Sequence, residues 1–266
     1  MLLRVAATRF NTRCALVLLA LLYVPALSPQ NASPAAGGGA QAKGALGYNV
    51  EWRLIDAGKA KLSWNASTTA SQPGPQVRLH LESTGLVSRL FKVDDDYQAD
   101  LSSEFCVRDT HLAAHEGSRQ RETVVHFDPE TKKASYLERD TQTHAVVLAK
   151  ETDIPPCVHD VIGGLFFLRM LNLEPGRSMQ VAVSDGKKTV SAKVEAQARE
   201  SVKVPAGTYK TIRYEAFLFN NVLYRQNGHL YVWLTDDARK LPVRLQVRLH
   251  FAIGTITFEL EKEEKT

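Results

Sequence analysis

The chain has 266 residues, with 33 basic and 29 acidic side chains, a formal net charge of +4, three cysteines and 44% hydrophobic residues. No basic stripe interleaved with aromatic residues stands out, which argues against nucleic acid as a partner. The sequence contains no P-loop, nucleophile-elbow, zinc-protease or paired-cysteine redox motif, so we predict no metal site and no cofactor.

The N-terminus has the pattern of a secretory signal peptide. Arginines precede an apolar run at 14–27, and Val24 and Ala26 are small residues at the positions that a signal peptidase reads. The run is shorter than the roughly 20 residues that span a bilayer as a helix. We predict a signal peptide at 1–26, hence export and no transmembrane span after its removal; the alternative is an uncleaved membrane anchor. Because three arginines are removed, the mature chain carries a net charge of +1.

A single β-rich domain is predicted at 45–262, after a flexible linker at 27–44 that is rich in alanine, glycine, serine and proline. Apolar and polar residues alternate with a period of two in its first half, which is typical of half-buried strands joined by short turns. The segment 85–93 fits one or two helical turns, but it is too short to decide. Strands are predicted at 46–55, 59–69, 77–81, 100–108, 111–116, 120–127, 133–139 and 144–149.

The stretch 154–175 is the one later segment that the sequence predicts as a helix. Pro155 and Pro156 exclude a helix before it and suit its first turn. Asp160 can accept hydrogen bonds from the first N–H groups, and Pro175 ends the element. Because its residues are apolar on almost every side, we predict that the helix is buried all round.

The second half repeats the strand pattern, with turns at Asp185-Gly186 and Asn227-Gly228. The whole pattern predicts a mainly β fold: an antiparallel β-barrel or a strongly curved meander sheet of about a dozen strands, with one buried helix packed on its concave side. Strands of this half are predicted at 179–183, 189–200, 209–219, 230–234, 243–249 and 256–260.

Two cysteines, Cys106 and Cys157, remain after signal removal. In an oxidising compartment they can form a disulfide that pins the start of the helix to the sheet. The alternative is two unpaired buried thiols.

One cluster of ionisable residues is a candidate functional site. His159 and Asp160 could form an acid–base pair at the helix N-terminus, although we favour the simpler interpretation as a loop histidine and a helix cap. Arg169 is a charge on a buried helix, so we predict a carboxylate partner for it, either Asp236 or Asp237.

Three tryptophans are candidates for a ligand cavity. Trp52, Trp64 and Trp233 could line it, although tryptophans in strands of this kind are more often simply core.

Two further groups were weighed as metal sites. His111 and His115 lie in a segment that looks extended, where four residues span about 13 Å, too far for one ion. The run 94–96 holds three aspartates that could bind calcium, but the spacing matches no EF-hand loop, and we interpret it as a solvated acidic turn.

Several short phrases occur along the chain in a characteristic order: YNVEW at 48–52, Ala57-Gly58, Phe127-Asp128, Asp160 with LFFLR at 165–169, VPAGTY at 204–209, WLTDD at 233–237, LPVR at 241–244 and Ile253-Gly254. In this order they resemble an uncharacterised family of exported bacterial proteins, domain of unknown function 3108. The family implies a β-rich, barrel-like exported domain, and it implies no established activity or catalytic residue. At the level of fold, the family also resembles carriers that bind lipid-modified proteins in the bacterial envelope.

These observations favour an exported, non-catalytic, monomeric protein of the periplasm or another extracytoplasmic space. Its curved sheet would bind an apolar ligand, either a lipid or a lipid-bearing peptide. The alternative is an envelope interaction or assembly protein that acts through its surface and binds another envelope protein. A hydrolase using His159 or a carboxylate is a third, less favoured hypothesis.

Overall fold

Fourteen antiparallel strands form one curved, unclosed sheet in the computed structural model, which describes residues 43–66, 74–249 and 254–264. The prediction of a mainly β fold with a curved meander sheet is confirmed, with fourteen strands where about a dozen were expected. Strand β1 begins at Lys43, the first of the described residues. The predicted signal peptide and nearly all of the linker lie outside the described residues.

The strands and helices have the following bounds. The first eight strands are β1 Lys43–Trp52, β2 Ile55–Ala66, β3 Pro75–Ser83, β4 Val93–Leu101, β5 Val107–Glu116, β6 Arg119–Asp128, β7 Lys133–Asp140 and β8 Val146–Asp153. The remaining six are β9 Ser178–Ser184, β10 Thr189–Val204, β11 Gly207–Ala216, β12 Gly228–Thr235, β13 Pro242–Leu249 and β14 Thr255–Glu264. The helices are α1 Gly85–Leu90, between β3 and β4, and α2 Val161–Met170, between β8 and β9. No helix of the described residues is long and apolar enough to cross a membrane.

Two meanders, β1 to β8 and β9 to β14, make up the sheet. They join where β14 pairs with β1, so β8 and β9 are the two edges of the sheet although α2 alone separates them in the chain. The residues just before α2 link the meanders. The Val107 N–H donates to the Val158 carbonyl, and His159 forms a parallel bridge with Val183 of β9. This link holds the start of α2 between β5 and the edge strand β9.

A disulfide joins Cys106 and Cys157, with their Cα atoms 5.1 Å apart, as the sequence predicted. It ties the turn between β4 and β5 to the segment that precedes α2. Closing a loop of 51 residues stabilises the fold by about 4 kcal/mol in the chain-entropy treatment of the unfolded state.

Helix α2 is shorter than the predicted stretch, because the residues from Ile154 to His159 are extended and link strands before the helix begins. Asp160 caps it: the carboxylate accepts from the N–H groups of Ile162 at 2.9 Å and Gly163 at 3.0 Å. A Cβ atom on Gly163 would lie 2.6 Å from Asp160 Oδ1, so glycine lets the cap approach closely.

The expectation that α2 is buried all round is wrong. Gly163, Leu165, Phe166, Leu168 and Arg169 are buried. The remaining helix residues, which include Ile162 and Phe167, are half-buried. The sheet curves around α2 without filling all the space beside it.

Candidate functional site

A cavity of about 290 Å³ lies between α2 and the inner faces of β1–β3 and β9–β14. Its walls are mostly leucine, valine and alanine side chains, which the period-two pattern of these strands points inward. Five aromatic rings contribute to the lining: Tyr48, Phe167, Phe219, Tyr224 and Phe258. The volume is at the lower end of the range for small-molecule sites, and it is about twice that of an apolar cavity that holds benzene.

The burial of the wall residues shows where the cavity opens. Along β12, Leu234 and Val232 are buried, whereas Leu230 is half-buried. Along β13 exposure increases in the opposite direction, from Val243 to Val247, and Leu230 and Val247 are paired in register. The cavity therefore opens at the end of the sheet where β12 begins and β13 ends.

Among the described residues that line this cavity, Asp160 is the only carboxyl group, and none is a lysine, arginine or histidine. The Tyr97 hydroxyl donates to Asp160 Oδ2 at 2.6 Å, next to the two cap hydrogen bonds. Burial raises the pKa of Asp160, although these hydrogen bonds favour its charged form. The pKa of Tyr97 is raised by burial and by the neighbouring carboxylate. The wall offers no cation to a ligand's carboxylate or phosphate group.

His159 does not form the acid–base pair that the sequence suggested as one alternative. Its ring stacks on Phe167 with centroids 4.4 Å apart, and its Nδ1 lies 2.7 Å from the Phe105 carbonyl oxygen. Because a carbonyl only accepts, Nδ1 carries the proton in this contact. Burial lowers the pKa of His159. These contacts favour the structural interpretation, with Asp160 as the cap and His159 as an anchor of the segment before α2.

The prediction that a carboxylate pairs with Arg169 is wrong. The guanidinium donates from Nε to the Lys240 carbonyl at 3.1 Å and from Nη2 to the Arg239 carbonyl at 3.3 Å. It also lies over the rings of Trp64, at 4.8 Å, and Phe166, at 5.2 Å. Within the described residues no carboxylate reaches it, and burial lowers the pKa of Arg169. Backbone carbonyls and aromatic faces take the place of the expected ion pair.

Asp236 and Asp237 do not pair with Arg169, because both carboxylates have other partners. Asp236 forms an ion pair with Arg199 at 2.8 Å. Asp237 accepts from the Thr235 hydroxyl at 2.7 Å and from the Arg239 N–H at 3.0 Å. The two carboxylates organise the turn between β12 and β13, and the turn presents its carbonyls to α2.

The three tryptophans are not among the residues that line the cavity. Trp64 is buried against Phe166, with ring centroids 5.5 Å apart. Trp233 lies between inward-facing Val232 and Leu234, so the strand period places it on the outer face, where its Nε1–H donates to Glu200. Trp52 is half-buried near the end of β1. They serve as packing residues, the simpler of the two interpretations.

The acidic run at 94–96 is part of β4 and not the turn that the sequence suggested. Asp94 and Asp96 share the outer face with His80, and one donor atom from each of the three lies within 4.8 Å of the others. His111 and His115 are in β5, which is extended as predicted, and they contact Glu122 and the Asp94 carbonyl respectively. None of these groups lines the cavity.

Sequence reasoning missed the part of the wall that follows β11. The sequence predicts Leu218 and Phe219 within a strand at 209–219, but β11 ends at Ala216, so both lie with Tyr224 in the connection to β12. The positive φ angles of Asn220 and Asn221 fold this connection back, and the Leu223 N–H donates to the Leu218 carbonyl at 2.8 Å. The two adjacent asparagines were the one sequence signal for this turn, since asparagine tolerates positive φ angles.

A family model described as a protein of unknown function, DUF3108, matches residues 47–261. The chain belongs to the DUF3108 family. The resemblance found in the sequence phrases is thereby confirmed over nearly the whole described domain. A search of curated proteins finds no match to the chain.

Solved structures with a similar fold share little sequence with this DUF3108 protein. A β-barrel-like protein of the DUF1849 family from Brucella abortus has a TM-score of 0.51 at 8% identity, covering 84% of this chain and 97% of its own. A candidate exported protein with a YmcC-like fold from Bacteroides fragilis has a TM-score of 0.38 at 11% identity, covering 86% and 99%. A candidate lipoprotein from Parabacteroides distasonis has a TM-score of 0.32 at 10% identity, covering 85% and 96%. The first of these supports the barrel-like fold.

Proposed function

We propose that this DUF3108 protein is an exported, non-catalytic protein of the cell envelope that binds an apolar ligand, a lipid or a lipid-bearing peptide, beside α2. The observation that carries the proposal is the apolar cavity between α2 and the curved sheet. Burying apolar surface is favourable by about 25 cal/mol per Å² of area removed from water. A bound acyl chain would therefore remove both its own surface and the half-buried wall of the cavity from water.

The position of the charges supports an acyl chain inside and a head group outside. The wall contains no cation, so an anionic head group inside the cavity would be desolvated without a partner. The half-buried mouth allows such a head group to remain in water. The signal-peptide pattern and the disulfide both fit an oxidising extracytoplasmic compartment.

A titration with a fluorescent acyl probe tests the proposal. The delipidated mature protein should bind the probe, and Ala216→Phe, which places a ring in the cavity, should weaken binding at least tenfold. Ala113→Phe is the matched control, because Ala113 is a half-buried strand residue outside the cavity lining. Loss of binding in both variants, or in neither, would contradict the proposal.

A second candidate is an interaction protein that acts through its surface. Strand β8 is an edge of the sheet, and Val146, Val147 and Leu148 are exposed on it. An exposed edge strand offers free hydrogen-bonding groups to a partner strand. Recovery of one envelope partner by the wild-type protein, and its loss with Val147→Lys, would favour this candidate.

A further inference from the structure

Five large hydrophobic side chains are exposed at one end of the sheet. Leu54 is 92% exposed, Leu90 75%, Leu86 61%, Phe91 53% and Ile55 50%. We refer to these five, chosen from residues 43–66, 74–249 and 254–264, as the apolar rim. They come from the turn between β1 and β2, the start of β2, helix α1 and the residue that follows α1.

Contacts in the backbone bring these segments together. The Thr84 N–H donates to the Ala57 carbonyl at 2.9 Å, which places the start of α1 beside the start of β2. A Cβ atom on Gly117, in the turn between β5 and β6, would lie 3.1 Å from the Phe91 ring. None of the residues of α1 is buried, so packing inside the domain does not explain its apolar side chains.

The turn that carries Leu54 is strained. Trp52 pairs with Ile55, so Arg53 and Leu54 form a two-residue loop, with φ angles of 52° and 69°. Turns with positive φ at both positions favour asparagine, aspartate and glycine, and a bulky leucine is an outlier there. Leu54 gains no packing in return, since it is almost fully exposed. The stability of the fold therefore gives no reason for leucine at this tip.

Two cations lie among the rim residues. Arg89 and Lys92 are exposed, one inside α1 and one just after it. Among residues 43–66, 74–249 and 254–264, no carboxylate lies within 4 Å of either charged group. The rim thus combines protruding apolar side chains with two cations, while the exposed Asp56 follows Ile55 in the chain.

The rim lies at the same end of the sheet as the mouth of the cavity. In register, Trp52 is opposite both Ile55 and Ile256, and Val50 is opposite Phe258, which lines the cavity. A surface that contacts the rim is therefore close to the cavity mouth.

We propose that the apolar rim inserts into the surface of a lipid bilayer that contains anionic lipids. The rim side chains protrude separately from turns and from a short helix, and the acyl boundary of a bilayer accepts such side chains without a complementary shape. Anionic head groups would balance Arg89 and Lys92. The inference does not require a ligand in the cavity, although it would bring the mouth to the membrane.

Vesicle flotation with the mature protein tests this inference. Vesicles of phosphatidylcholine mixed with phosphatidylglycerol should bind the protein at least tenfold more strongly than phosphatidylcholine alone, and high salt should weaken the binding. Leu90→Asp and Leu54→Gly should each reduce binding at least fivefold. Val124→Ser is the control, because Val124 is 40% exposed on β6, outside the rim, and its binding should match the wild type.

Leu54→Gly also separates function from folding. Because glycine removes the strain at this tip, the variant should melt at a higher temperature while it binds vesicles more weakly. Absence of wild-type binding to either vesicle, or unchanged binding by Leu54→Gly and Leu90→Asp, would overturn the inference. So would rim variants that change only the oligomeric state, since a second copy would then cover the rim. Binding of the acyl probe, measured separately, reports on the cavity alone.

Discussion

The two halves of the concave face differ in whether their inward-facing side chains have partners within the protein. On the inner face of β6 and β7, Glu138 accepts from the Tyr136 hydroxyl at 2.9 Å and from Arg119 Nη2 at 3.2 Å, and Arg121 pairs with Asp140. On the inner face of β12–β14 the side chains are apolar, and several remain half-buried beside an unfilled cavity. The polar half provides its own partners, whereas the apolar half leaves side chains half-buried beside the cavity.

Helix α2 is placed between these halves by contacts that do not fill the cavity. Its N-terminal end is held by Asp160 and Tyr97, and its C-terminal end by Arg169 on the carbonyls of Arg239 and Lys240. The helix thus covers part of the concave face, and the cavity remains between the helix and the rest of that face. A plug that filled the sheet completely would leave no site for an apolar ligand.

The largest effect is expected from removal of the disulfide that ties the turn between β4 and β5 to the segment before α2. Replacing Cys106 and Cys157 by alanine should lower the free energy of unfolding by about 4 kcal/mol, because the unfolded chain regains the freedom of a 51-residue loop. Urea denaturation of the mature protein measures this. A loss below about 1 kcal/mol would show that the hydrogen bonds of Val158 and His159 hold that segment in place without the disulfide.

A smaller loss is expected in the polar half. Glu138→Ala should lower the free energy of unfolding by about 2 kcal/mol, because the Tyr136 hydroxyl and two arginines lose their shared acceptor. Burial alone would raise the pKa of Glu138, but hydrogen bonds from Tyr136 and Arg119 outweigh it and lower the pKa. Binding of the acyl probe should not change. If probe binding were lost as well, the polar half would also contribute to the binding of the ligand.

The converse change places a charge in the apolar half. Leu245→Lys should weaken binding of an acyl probe at least tenfold, equivalent to about 1.4 kcal/mol. The reason is that a bound acyl chain would lie against the ammonium group and displace water from it. Stability should fall by less than about 1.4 kcal/mol, since Leu245 is only half-buried and lysine can extend its charge to water. Arg248→Lys, on the exposed face of β13, is the control. Equal binding by Leu245→Lys and the wild type would place the ligand elsewhere.

The smallest effect concerns pH and the anchor at the start of α2. Because burial lowers the pKa of His159 below its ordinary value of 6.5, the unfolded chain takes up a proton there before the folded protein does. The stability that neutral His159 contributes is therefore lost as the pH falls below 6.5. Comparison of the wild type with His159→Gln in denaturation series from pH 7.5 to 5 isolates this contribution. A difference that does not vary with pH would show that His159 is not held neutral.

Much of the fold could be predicted because strand period and helix signals are local. The inward faces of β1 and β12, the cap at Asp160 and the disulfide follow from alternation, cap chemistry and compartment. The order of the strands in the sheet does not, because pairing of β1 with β14 joins the two ends of the domain.

The candidate site was harder to predict than the fold. Arg169 was correctly identified as a buried charge that needs partners, but carbonyls freed by a turn 70 residues away supply them, and no local pattern encodes that contact. The tryptophans were proposed as cavity-lining residues from their residue type alone, although the alternation of side chains along the strand already placed Trp233 on the outer face. The space beside α2 depends on how far the sheet curves, which is a property of the whole packing and not of any segment.

Mass spectrometry of the natively exported protein tests the central claim most directly. We predict that the wild-type protein carries an apolar molecule with at least one acyl chain, and that Ala216→Phe, exported and folded to the same extent, carries little or none of it. Wild-type protein that carries no such molecule, or Ala216→Phe protein that carries the same amount, would contradict the account.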